Sequence, residues 1–562
     1  MGAPPRCGTE SVSNPRGTDP EHGPPSAPTC STMRPMRVAL AQLNPRVGDL
    51  ARNAALVVEA LRAAHAQGAA HVVTPELVLT GAPPRDLLLD DRFVDDALAA
   101  IGTVAERSPP GLTAYVGTIA RASSRTPGHP GLYNALAVIR DGRVVDTIRK
   151  QLLPAYDVFH EPRWFVPGGG GTLVRDGLGP LVCEDLWDDG HPTHPGAALR
   201  ASGARVLACA AASPFRWDAY PQRVAHAARQ GVPVAYVNLV GAQDELVFDG
   251  GSFVTDAHGR VLHRLPFFEE AVETFELDTL DGDEAPAPPS REELGFGALV
   301  LGLRDFARKN GVRRAVLGLS GGVDSALVAC IAKEALGGAN VLGVAMPTRY
   351  NDPRSTSCAR ELGEALGIQV EVFPVEAMAS STSEALGPWL DSLGAARPGD
   401  TSHENIQARV RAMVLLAAVN RTGGLLLNTS NKTELSLGYG TLHGDLAGTL
   451  SVIGDLTKPE VYALARWYDA AHGVIPAFVM ERPPSAELRE HQVDPFDYPV
   501  VAPRVESLVQ GAPLPDWDPA DRAATERTVR LAEHKRWQSG VVLKVSERAF
   551  GTGRMMPITR VR

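Results

Sequence analysis

The sequence predicts an α/β protein with at least two domains, the second of which is built on a doubly wound, mostly parallel sheet. Three observations lead to this prediction. Short β-rich runs alternate with helical segments along the first half of the chain, an acidic and proline-rich stretch interrupts the alternation, and a more regular βα series follows it. The length of 562 residues corresponds to roughly two to four domains.

The composition is that of an ordinary globular protein, with 44% hydrophobic and 21% charged residues. Its net charge of −10 argues against a dominant role in nucleic-acid binding, because such domains are usually basic. The six cysteines are widely spaced and form no CxxC pair, which favours reduced thiols in a cytoplasmic protein over a disulfide framework or a structural zinc site. No apolar run reaches the roughly 18 residues of a membrane span, so no membrane association is expected.

The chain is expected to begin with a disordered tail over residues 1–35, which are rich in Pro, Gly, Ser and Thr and show no period. Residues 36–277 form the first predicted domain. Ala51–Ala66 is predicted to be an amphipathic helix, since Leu56 and Ala60 share one stripe and the charged residues lie largely off it. The strands predicted around it are Arg37–Leu43, His71–Thr74, Ala114–Ile119, Asn134–Ile139, Arg205–Ala210 and Pro233–Asn238.

A linker is predicted over residues 278–293, which are acidic and proline-rich and have no apolar period. The second predicted domain covers residues 294–562. Regular alternation in this domain predicts parallel strands, because each helix carries the chain back to the end of the sheet at which the previous strand began. Its helices are predicted at Ser325–Leu336, Ser355–Leu366 and Asn405–Val419. Its strands are predicted at Ala315–Leu319, Val341–Met346, Val370–Phe373 and Leu425–Asn428.

The stretch Leu317–Ser325 reads LGLSGGVDS and predicts a site for the phosphates of ATP. It stands between a predicted strand and a predicted helix, where backbone N–H groups at the helix N-terminus favour an anion. Gly321 and Gly322 let the backbone approach phosphate closely. The Asp324 carboxylate beside phosphate requires a cation between them, for which Mg²⁺ is the natural candidate. The Walker lysine is absent. The alternative is a glycine turn that only links strand to helix.

This loop resembles that of the ATP-pyrophosphatase family, whose members cleave ATP between the α- and β-phosphates and transfer AMP to a substrate oxygen. Further blocks resemble NAD synthetase in order and spacing over nearly all of residues 294–562. They read MPTRYNDPRSTSCARELGEALGI, ENIQARVRAMVL, NTSNKTELSLGYGTLHGDLAG, PPSAEL and EHKRWQSG. The resemblance implies a doubly wound sheet similar to that of the adenine nucleotide alpha hydrolases.

The same resemblance implies roles for individual residues. Asp324 and Glu434 are expected to hold Mg²⁺. Asn405, Glu434 and Lys535 are expected to contact deamido-NAD. On physical grounds rather than from the resemblance, Lys432 and Lys535 are expected to add positive charge where negative charge develops. The residues expected to contact ATP are Gly318, Leu319, Ser320, Gly321, Gly322, Val323, Asp324, Ser325 and Thr429. The alternative for any single lysine or glutamate is a solvated surface charge.

Three polar residues of the first domain stand at or just after predicted strands: Glu76 in VVTPEL, Lys150 in IRKQLLP and Cys183 in PLVCEDLW. A thiolate attacks amides well near neutral pH. Glu76 could accept the thiol proton, and Lys150 could stabilise the oxyanion of the tetrahedral intermediate. The alternative for Cys183 is a small buried hydrophobic residue, and distance along the chain leaves open whether the other two residues reach it. The cysteines predicted to be buried hydrophobic residues are Cys209, Cys330 and Cys358.

Residues 36–277 resemble the carbon–nitrogen hydrolase, or nitrilase, superfamily, whose catalytic triad is Glu-Lys-Cys. The matching blocks are VVTPELVLTGAPPRDLL, KQLLPAYDVFHEPRWF, LVCEDLW and GVPVAYVNLVGAQDELVFDGGSF. This resemblance implies an α-β-β-α sandwich and assigns catalysis to Glu76, Lys150 and Cys183. It also matches Glu161 to a second carboxylate that supports the lysine.

The glutamine contacts implied by this resemblance are Tyr156 and Ser213. The family usually has a lysine or an arginine six residues after this serine, where this chain has Ala219. Arg216 is the candidate to replace that basic group. Arg223 is expected on the helix surface or in contacts between domains.

Together the two resemblances imply a glutamine-dependent enzyme that amidates deamido-NAD to NAD⁺. Glutamine would release ammonia in the first domain, and ATP would adenylate deamido-NAD in the second, giving AMP, pyrophosphate and glutamate. A homo-oligomer, dimeric through the synthetase domain or larger, is also implied. Three alternatives are another amidating synthetase such as a GMP synthetase, a nitrilase-type hydrolase with a nonproductive second domain, and a nucleotide sensor without catalysis.

Overall fold

In the N-terminal half of the protein, two sheets lie face to face. The computed structural model describes residue 2 and residues 36–122, 131–171, 173–277, 280, 282–397, 399–513 and 517–554, so the tail predicted over residues 1–35 lies outside the described residues except for residue 2. The described strands of this half are β1 Arg37–Gln42, β2 His71–Val73, β3 Thr113–Arg121, β4 Leu132–Arg140, β5 Arg143–Arg149, β6 Leu178–Val182, β7 Val206–Ala211, β8 Val234–Asn238, β9 Val240–Gln243, β10 Leu246–Asp249, β11 Phe253–Thr255, β12 Val261–Arg264 and β13 Ala271–Glu276. Its α-helices are α1 Leu50–Ala66, α2 Asp91–Glu106, α3 Pro195–Ala201 and α4 Ala219–Ala228.

The first sheet has the order β13-β1-β2-β3-β4-β5, and the second has the order β12-β11-β8-β7-β6. β9 and β10 form a separate antiparallel ribbon. Val38 and Tyr115 of the first sheet share one buried core with Leu207 and Val237 of the second. Strands such as β7 therefore have both faces covered, which explains why they read as continuous hydrophobic runs in the sequence.

Helices cover the outer faces of both sheets. α1 begins after Asp49, whose side chain accepts a hydrogen bond from the backbone N–H of Arg52. Val57 and Leu61 on the inner face of α1 pack with Val72 of the first sheet. α3 packs against β6, and α4 packs against β8 and β11 of the second sheet. The layers follow the order helix, sheet, sheet, helix, and the expected α-β-β-α sandwich is confirmed.

The C-terminal half is a doubly wound parallel sheet, as expected. Its described strands are β14 Ala315–Gly318, β15 Val341–Ala345, β16 Gln369–Val372, β17 Leu425–Asn428, β18 Leu450–Ser451 and β19 Val541–Val542, in the order β16-β15-β14-β17-β18-β19. All neighbouring strands in this order are parallel. The chain leaves β14 toward β15 on one side and returns to β17 on the other, which opens a crevice for a ligand at the carboxyl ends of these strands. The described helices are α5 Arg291–Lys309, α6 Val323–Leu336, α7 Pro353–Leu366, α8 Glu376–Ser392, α9 Ser402–Thr422, α10 Lys432–Leu437, α11 Lys458–His472, α12 Ala477–Glu481, α13 Tyr498–Gln510, α14 Pro519–Leu531 and α15 Glu533–Arg536.

Helix α5 joins the two halves and begins inside the stretch 278–293 that the sequence predicts to be a linker. Ser290 is its N-cap, and the serine side chain accepts a hydrogen bond from the backbone N–H of Glu293. The motif SREE is a helix start of the S-x-x-E type, a signal that the acidic and proline-rich composition obscured. The helix packs against β9 and β10 on one side and α6 on the other, so its residues Leu299 and Leu303 are buried between the halves.

None of the helices within the described ranges is both long enough and apolar enough to cross a lipid bilayer. The cysteines predicted to be buried hydrophobic residues, Cys209, Cys330 and Cys358, are indeed buried.

Candidate active sites

The ends of three strands bring together the polar residues that the sequence singles out in the first half. Glu76 lies in the loop after β2, Lys150 directly follows β5, and Cys183 directly follows β6. The Nζ atom of Lys150 lies 2.7 Å from Oε1 of Glu76 and 2.6 Å from Oε1 of Glu161. The lysine side chain is fully buried, so its charge is balanced by these two carboxylates rather than by water. Glu161 thus lies where the resemblance places it.

Two further groups hold the Glu76 carboxylate in place. The Nδ2 atom of Asn134 donates to its Oε1 at 2.7 Å, and the backbone N–H of Ala212 donates to its Oε2 at 3.1 Å. An ionised carboxylate only accepts hydrogen bonds, so these two donors and Lys150 fix its orientation. They occupy three of its roughly four acceptor sites, which leaves one that can accept a proton. Neither Asn134 nor Ala212 is marked by a sequence motif, and they reach Glu76 from β4 and the end of β7.

Cys183 opens a short 3₁₀ helix, Cys183–Leu186, with a backbone φ of 45°. A residue other than glycine in this left-handed region is strained, and such strain is frequent at functional sites. Burial and the negative charge of Glu76 raise the pKa of the Cys183 thiol well above its ordinary value, while Lys150 opposes the shift. The thiol is therefore protonated in the free protein at neutral pH, and its proton has to leave during attack on a substrate.

The pKa values of the neighbouring charged groups follow from burial and from their mutual attraction. Burial alone would lower the pKa of Lys150, but the charges of Glu161 and Glu76 outweigh it and raise that pKa well above its ordinary value. Burial raises the pKa of Glu161 to about 7, although the charge of Lys150 opposes the increase. Lys150 is consequently an ammonium ion throughout the physiological range and can stabilise negative charge on a substrate oxygen.

Asp185 connects the loop that begins at Lys150, after β5, with the short 3₁₀ helix that begins at Cys183. Its Oδ1 atom accepts hydrogen bonds from the backbone N–H groups of Gln151 and Leu152, both at 2.9 Å. Burial raises the pKa of Asp185 to about 7 against the effect of these hydrogen bonds. The residue was not singled out from the sequence, although it stands in the quoted motif CEDLW.

Tyr156 and Ser213, the expected glutamine contacts, lie on different loops. The Tyr156 hydroxyl donates to Oε2 of Glu184 at 3.0 Å. The Ser213 hydroxyl accepts a hydrogen bond from Nε of Arg223 at 3.1 Å. Burial raises the pKa of Tyr156, as do Glu184 and Cys183, so its phenol stays neutral. Glu184 was missed from the sequence, although it directly follows Cys183.

The prediction for Arg223 is wrong. This arginine is fully buried within the N-terminal half, where its guanidinium group contacts Asp249 at 2.9 Å and the carbonyl of Ser213 at 2.9 Å. Ala219, Arg223 and Ala227 follow each other at four-residue intervals on the inner face of α4, so helical spacing could have revealed its burial. Ala219 is buried as well. Because alanine has no charged group, this position offers no charge to glutamine.

The charge of Arg216 lies close to the loop that carries Tyr156. Its Nε atom is 3.1 Å from Oδ1 of Asp218, and its guanidinium group bonds to the side-chain amide of Gln222. Burial is the main cause that raises the pKa of Tyr156 and of Asp157. The positive charge of Arg216 opposes both increases.

In the C-terminal half, a cavity of about 260 Å³ opens at the carboxyl ends of β14 and β17. Gly321 makes the turn into α6 with φ of 75°, and a Cβ atom there would lie 2.6 Å from the backbone of Ser355. Only glycine fits this position, and Gly322 is the N-cap of α6. The expected ATP contacts that line the cavity are Gly318, Leu319, Ser320, Gly322, Val323, Asp324, Ser325 and Thr429. Gly321 shapes the loop without lining it.

Asp324 and Glu434 come together around a lysine that the sequence analysis missed. Nζ of Lys458 lies 2.5 Å from Oδ2 of Asp324 and 3.3 Å from Oε1 of Glu434. Burial alone lowers the pKa of this lysine, but the two carboxylates outweigh burial and raise it. Burial raises the pKa of Glu434 to about 7 despite Lys458. Lys458 begins α11, and no spacing in the sequence links it to the phosphate loop.

The residues at this point suit a magnesium ion that is shared with phosphate. Asp324 and Glu434 both reach one cationic atom, so their oxygens can bind one hard cation, and phosphate oxygens and water can supply the remaining ligands. No group of three or more His, Cys, Asp and Glu side chains that could hold a metal by itself occurs among the described residues. Such a cation would therefore depend on the nucleotide for much of its coordination.

Asn405 and Lys535 do not line this cavity. They hold the loop after α10 instead: Lys535 Nζ donates to the carbonyls of Gly438 and Gly440 at 2.8 and 2.7 Å, and Asn405 accepts from the Thr441 hydroxyl at 2.6 Å. Tyr439, between those glycines, does line the cavity. The two residues thus lie beside the nucleotide site and shape its wall.

Lys432 does not provide the charge expected of it at the reaction centre. Its side chain is fully buried, 3.1 Å from Oδ1 of Asp455 and 2.8 Å from Oε2 of Glu506. Lys458, together with Arg411 and Arg482, is among the cations that line the cavity. Arg482 is fixed by a hydrogen bond to the Ser355 hydroxyl at 2.7 Å. No motif in the sequence marks Arg411 or Arg482 as a residue of this cavity.

Family models match both halves of the chain. The model for Carbon-nitrogen hydrolase matches residues 37–287, and the model for NAD synthase matches residues 296–512. The fold, the Glu-Lys-Cys constellation and the phosphate loop thereby define a class of protein, namely a carbon–nitrogen hydrolase domain fused to an NAD synthase domain.

Relatives with nearly the same extent identify the family. The chain is 40% identical to the glutamine-dependent NAD(+) synthetase of Rhodobacter capsulatus and 38% identical to that of Synechocystis sp., in both cases over 93% of this chain and 98% of the relative. The solved structure of the glutamine-dependent NAD+ synthetase from Acinetobacter baumannii in complex with ADP superposes with a TM-score of 0.74 at 29% identity and covers 93% of this chain and 98% of that chain. The chain belongs to the glutamine-dependent NAD(+) synthetase family.

Proposed function

We propose that this protein is an ATP-dependent carbon–nitrogen ligase that amidates deamido-NAD to NAD⁺ with ammonia taken from glutamine. AMP, pyrophosphate and glutamate are the other products. One observation carries the proposal: the buried Lys150, held between Glu76 and Glu161 beside Cys183, occurs in the same chain as the phosphate-loop cavity around Asp324. Either site alone would support a hydrolase or a nucleotide-binding protein.

In the amidase half, the Cys183 sulfur attacks the side-chain amide carbon of glutamine while Glu76 takes the thiol proton. Lys150 stabilises the oxyanion of the tetrahedral intermediate, and Glu161 keeps the lysine in place. The proton passes to the amide nitrogen, the carbon–nitrogen bond breaks and ammonia leaves. Water then attacks the thioester, which frees glutamate and restores the thiol.

Glutamine recognition is supported by the groups that surround the thiol. Tyr156 and Ser213 offer hydroxyl groups, and Glu184 beside the Tyr156 hydroxyl offers a carboxylate for the substrate's α-ammonium group. Arg216, whose charge acts on Tyr156, suits the α-carboxylate and replaces the basic group absent at Ala219.

In the synthetase half, the loop Gly318–Ser325 and Thr429 bind ATP. Asp324 and Glu434 would hold Mg²⁺, which neutralises phosphate charge when bound. A carboxylate oxygen of deamido-NAD attacks the α-phosphorus and pyrophosphate leaves. Ammonia then attacks the adenylated carboxyl carbon and AMP leaves. Lys458 adds positive charge beside the departing phosphates.

Binding of deamido-NAD is assigned to Glu434 and to the wall formed by the loop after α10. Lys535 and Asn405 support this wall through Gly438, Gly440 and Thr441. Loop carbonyls that are already bonded to a lysine cannot swing into the cavity, so the wall is preformed for the substrate.

The proposal extends to domain limits, assembly and location. The glutaminase domain is taken as residues 36–277, the linker as 278–293 and the synthetase domain as 294–562. A homo-oligomer that is dimeric through the synthetase domain, or larger, is supported by exposed apolar side chains on the neighbouring helices α8 and α9, where Trp389 is 58% and Met413 is 52% exposed. A catalytic thiol is compatible with the reducing cytoplasm.

An assay of NAD⁺ formation with glutamine or ammonium as nitrogen donor tests the function. The purified protein with ATP, deamido-NAD and Mg²⁺ should form NAD⁺ from both donors. Cys183→Ala should keep the ammonium reaction and lose the glutamine reaction. Cys330→Ala, at a buried cysteine of α6 in the other half of the protein, is the matched control and should keep both. The glutaminase assignment is wrong if Cys183→Ala uses glutamine as well as the wild type does.

A further inference from the structure

A short segment of the synthetase half, residues 544–546, lies against loops of the amidase half. It begins two residues after the end of β19. The backbone N–H of Lys544 donates to the carbonyl of Glu245 at 2.9 Å, and the backbone N–H of Trp217 donates to the carbonyl of Val545 at 3.2 Å. The Lys544 side chain is buried and places Nζ 3.0 Å from Oδ2 of Asp157. These contacts reach the loops just after Ser213 and Tyr156.

Asp157, the partner of Lys544, has a backbone conformation that costs free energy. Its backbone φ is 50°, in the left-handed region that aspartate reaches only at a cost. A Cβ atom on Gly553, from the end of the synthetase half, would lie only 2.8 Å from Oδ1 of Asp157. Asp157, which follows Tyr156 in the chain, is therefore held in place by the synthetase half through an ion pair and close packing.

The same segment is bonded to residues that adjoin, in the chain, those lining the nucleotide site. The backbone N–H groups of Val545 and Ser546 donate to Oδ2 of Asp455 at 2.8 and 2.6 Å. Nζ of Lys432 donates to the Ser546 hydroxyl at 3.0 Å. Asp455 stands three residues before Lys458, the first residue of α11, and Lys432 and Glu434 both lie in the first turn of α10. This segment is therefore bonded to the elements that carry the charges of the nucleotide cavity.

We propose, on the basis of the proposed function, that Lys544 is a positioning residue of the glutamine site. Through Asp157 it holds the Tyr156 loop in the conformation that binds glutamine, so one half of the protein completes the substrate site of the other. The reacting groups Glu76, Lys150 and Cys183 are fixed by contacts within the amidase half, and loss of Lys544 leaves those contacts intact. Its loss leaves a buried carboxylate without its cation at a strained residue, and the loop rearranges to hydrate it.

The substitution Lys544→Met tests this role by separating binding from chemistry. We expect the KM for glutamine to rise by about tenfold or more, since one buried charged contact is lost. The kcat for glutamate release should change less than the KM, and NAD⁺ formation from ammonium should stay near the wild-type value. Lys544→Arg should restore most of the affinity for glutamine. An unchanged glutamine KM in Lys544→Met overturns the proposal.

Asp157→Asn provides the second half of a double-mutant cycle. Asparagine tolerates a positive φ and removes only the charge. If Lys544 acts through Asp157, the substitution Lys544→Met should raise the glutamine KM far less in the Asp157→Asn background than in the wild type. Equal effects in the two backgrounds would show that Lys544 acts by another route and overturn the proposal.

Lys309→Met is the matched control for general damage at the junction of the halves. Lys309 is also largely buried there, 3.2 Å from Oδ2 of Asp305 and 2.7 Å from the carbonyl of Ala242, but its contacts do not include the Tyr156 loop. It should lower thermal stability without raising the glutamine KM. A rise equal to that of Lys544→Met would overturn the proposal. Wild-type protein that releases no glutamate from glutamine would refute the proposed function itself, whereas wild-type turnover with an unaltered Lys544→Met would refute only the role of Lys544.

Discussion

The ammonium group of Lys458 lies 2.5 Å from Oδ2 of Asp324, although 134 positions separate the two residues in the chain. Lys458 begins α11, whereas Asp324 lies in the first turn of α6. The contact brings a buried positive charge to the loop that receives phosphate in the proposed reaction. A fixed cation of this kind stabilises charge on departing phosphate without reorganisation of water.

Lys458→Met should therefore reduce NAD⁺ formation from glutamine and from ammonium alike, by about 100-fold. Glutamate release should be reduced much less, because Lys458 and Cys183 lie in different halves of the protein. Lys333→Met is a suitable control, since Lys333 lies on α6 but is partly exposed and pairs with Glu334. Parallel assays of NAD⁺ and glutamate distinguish the two effects. Wild-type rates in Lys458→Met would exclude this lysine from the reaction.

Glutamine hydrolysis should depend on pH through Glu161. Burial raises the pKa of Glu161 to about 7, so this carboxyl gains a proton as the pH falls through neutrality and no longer balances Lys150. We expect kcat/KM for glutamate release to rise with pH through about 7, as an apparent value shared with the coupled groups. Glu161→Gln should lower the rate by about 10- to 100-fold and remove this rise.

Asp185 provides the comparison for that pH profile, because burial raises its pKa to about 7 as well. Asp185→Asn should keep the rise with pH if Glu161 causes it. A profile that disappears in Asp185→Asn and persists in Glu161→Gln would assign the titration to Asp185 instead.

The raised pKa of the Cys183 thiol predicts slow alkylation at neutral pH. Burial and Glu76 keep the thiol protonated, and only the thiolate reacts with iodoacetamide. The rate of labelling at Cys183, followed by peptide mass spectrometry, should continue to rise above pH ~8.5, the ordinary value for a cysteine. Cys183→Ala identifies the labelled peptide. A plateau below neutrality would mean that Lys150 outweighs burial and that a thiolate is present at rest.

Gly321→Ala should disrupt the phosphate loop. A Cβ atom there would lie 2.6 Å from the Ser355 backbone, so the loop or the start of α7 has to move. Gly311→Ala is a matched control, because its φ of 72° is similar to the 75° of Gly321 but nothing lies within 4 Å of the added Cβ atom. The control should lose about 1–2 kcal/mol of unfolding free energy and keep ATP affinity.

Urea unfolding and calorimetric titration with ATP measure both effects in these glycine variants. Gly321→Ala should lose stability beyond the control and bind ATP at least tenfold more weakly, a change of about 1.4 kcal/mol. Equal stability and equal ATP affinity in the two variants would contradict the steric explanation.

Much of the fold was predictable because its signals are local. The runs at β7, β8 and β14 are continuous and hydrophobic, as expected of strands covered on both faces, and the strand–loop–helix unit around Gly321 is contained in a few consecutive residues. The start of α5 was missed although its signal is also local, since Ser290 and Glu293 form a helix start within a proline-rich stretch.

Residues of the amidase site could be predicted only where they stand in a recognisable sequence motif. Glu76, Lys150, Glu161 and Cys183 each stand in a recognisable block. Asn134 contacts the same carboxylate from β4 without any such signal. Helical spacing on α4 could have revealed the burial of Arg223, but not its partner, because Asp249 belongs to the separate β9–β10 ribbon, whose position no period in the sequence reveals.

By itself the sequence determined the layered α/β architecture, the phosphate loop and the side chains proposed to react, since these depend on neighbours along the chain. The tertiary structure alone decided which charges meet: Lys458 with Asp324, Lys544 with Asp157 and Arg223 with Asp249. The physical reason is that the order of strands within a sheet, and the packing of one half on the other, determine which loops share a site. Distance along the chain does not.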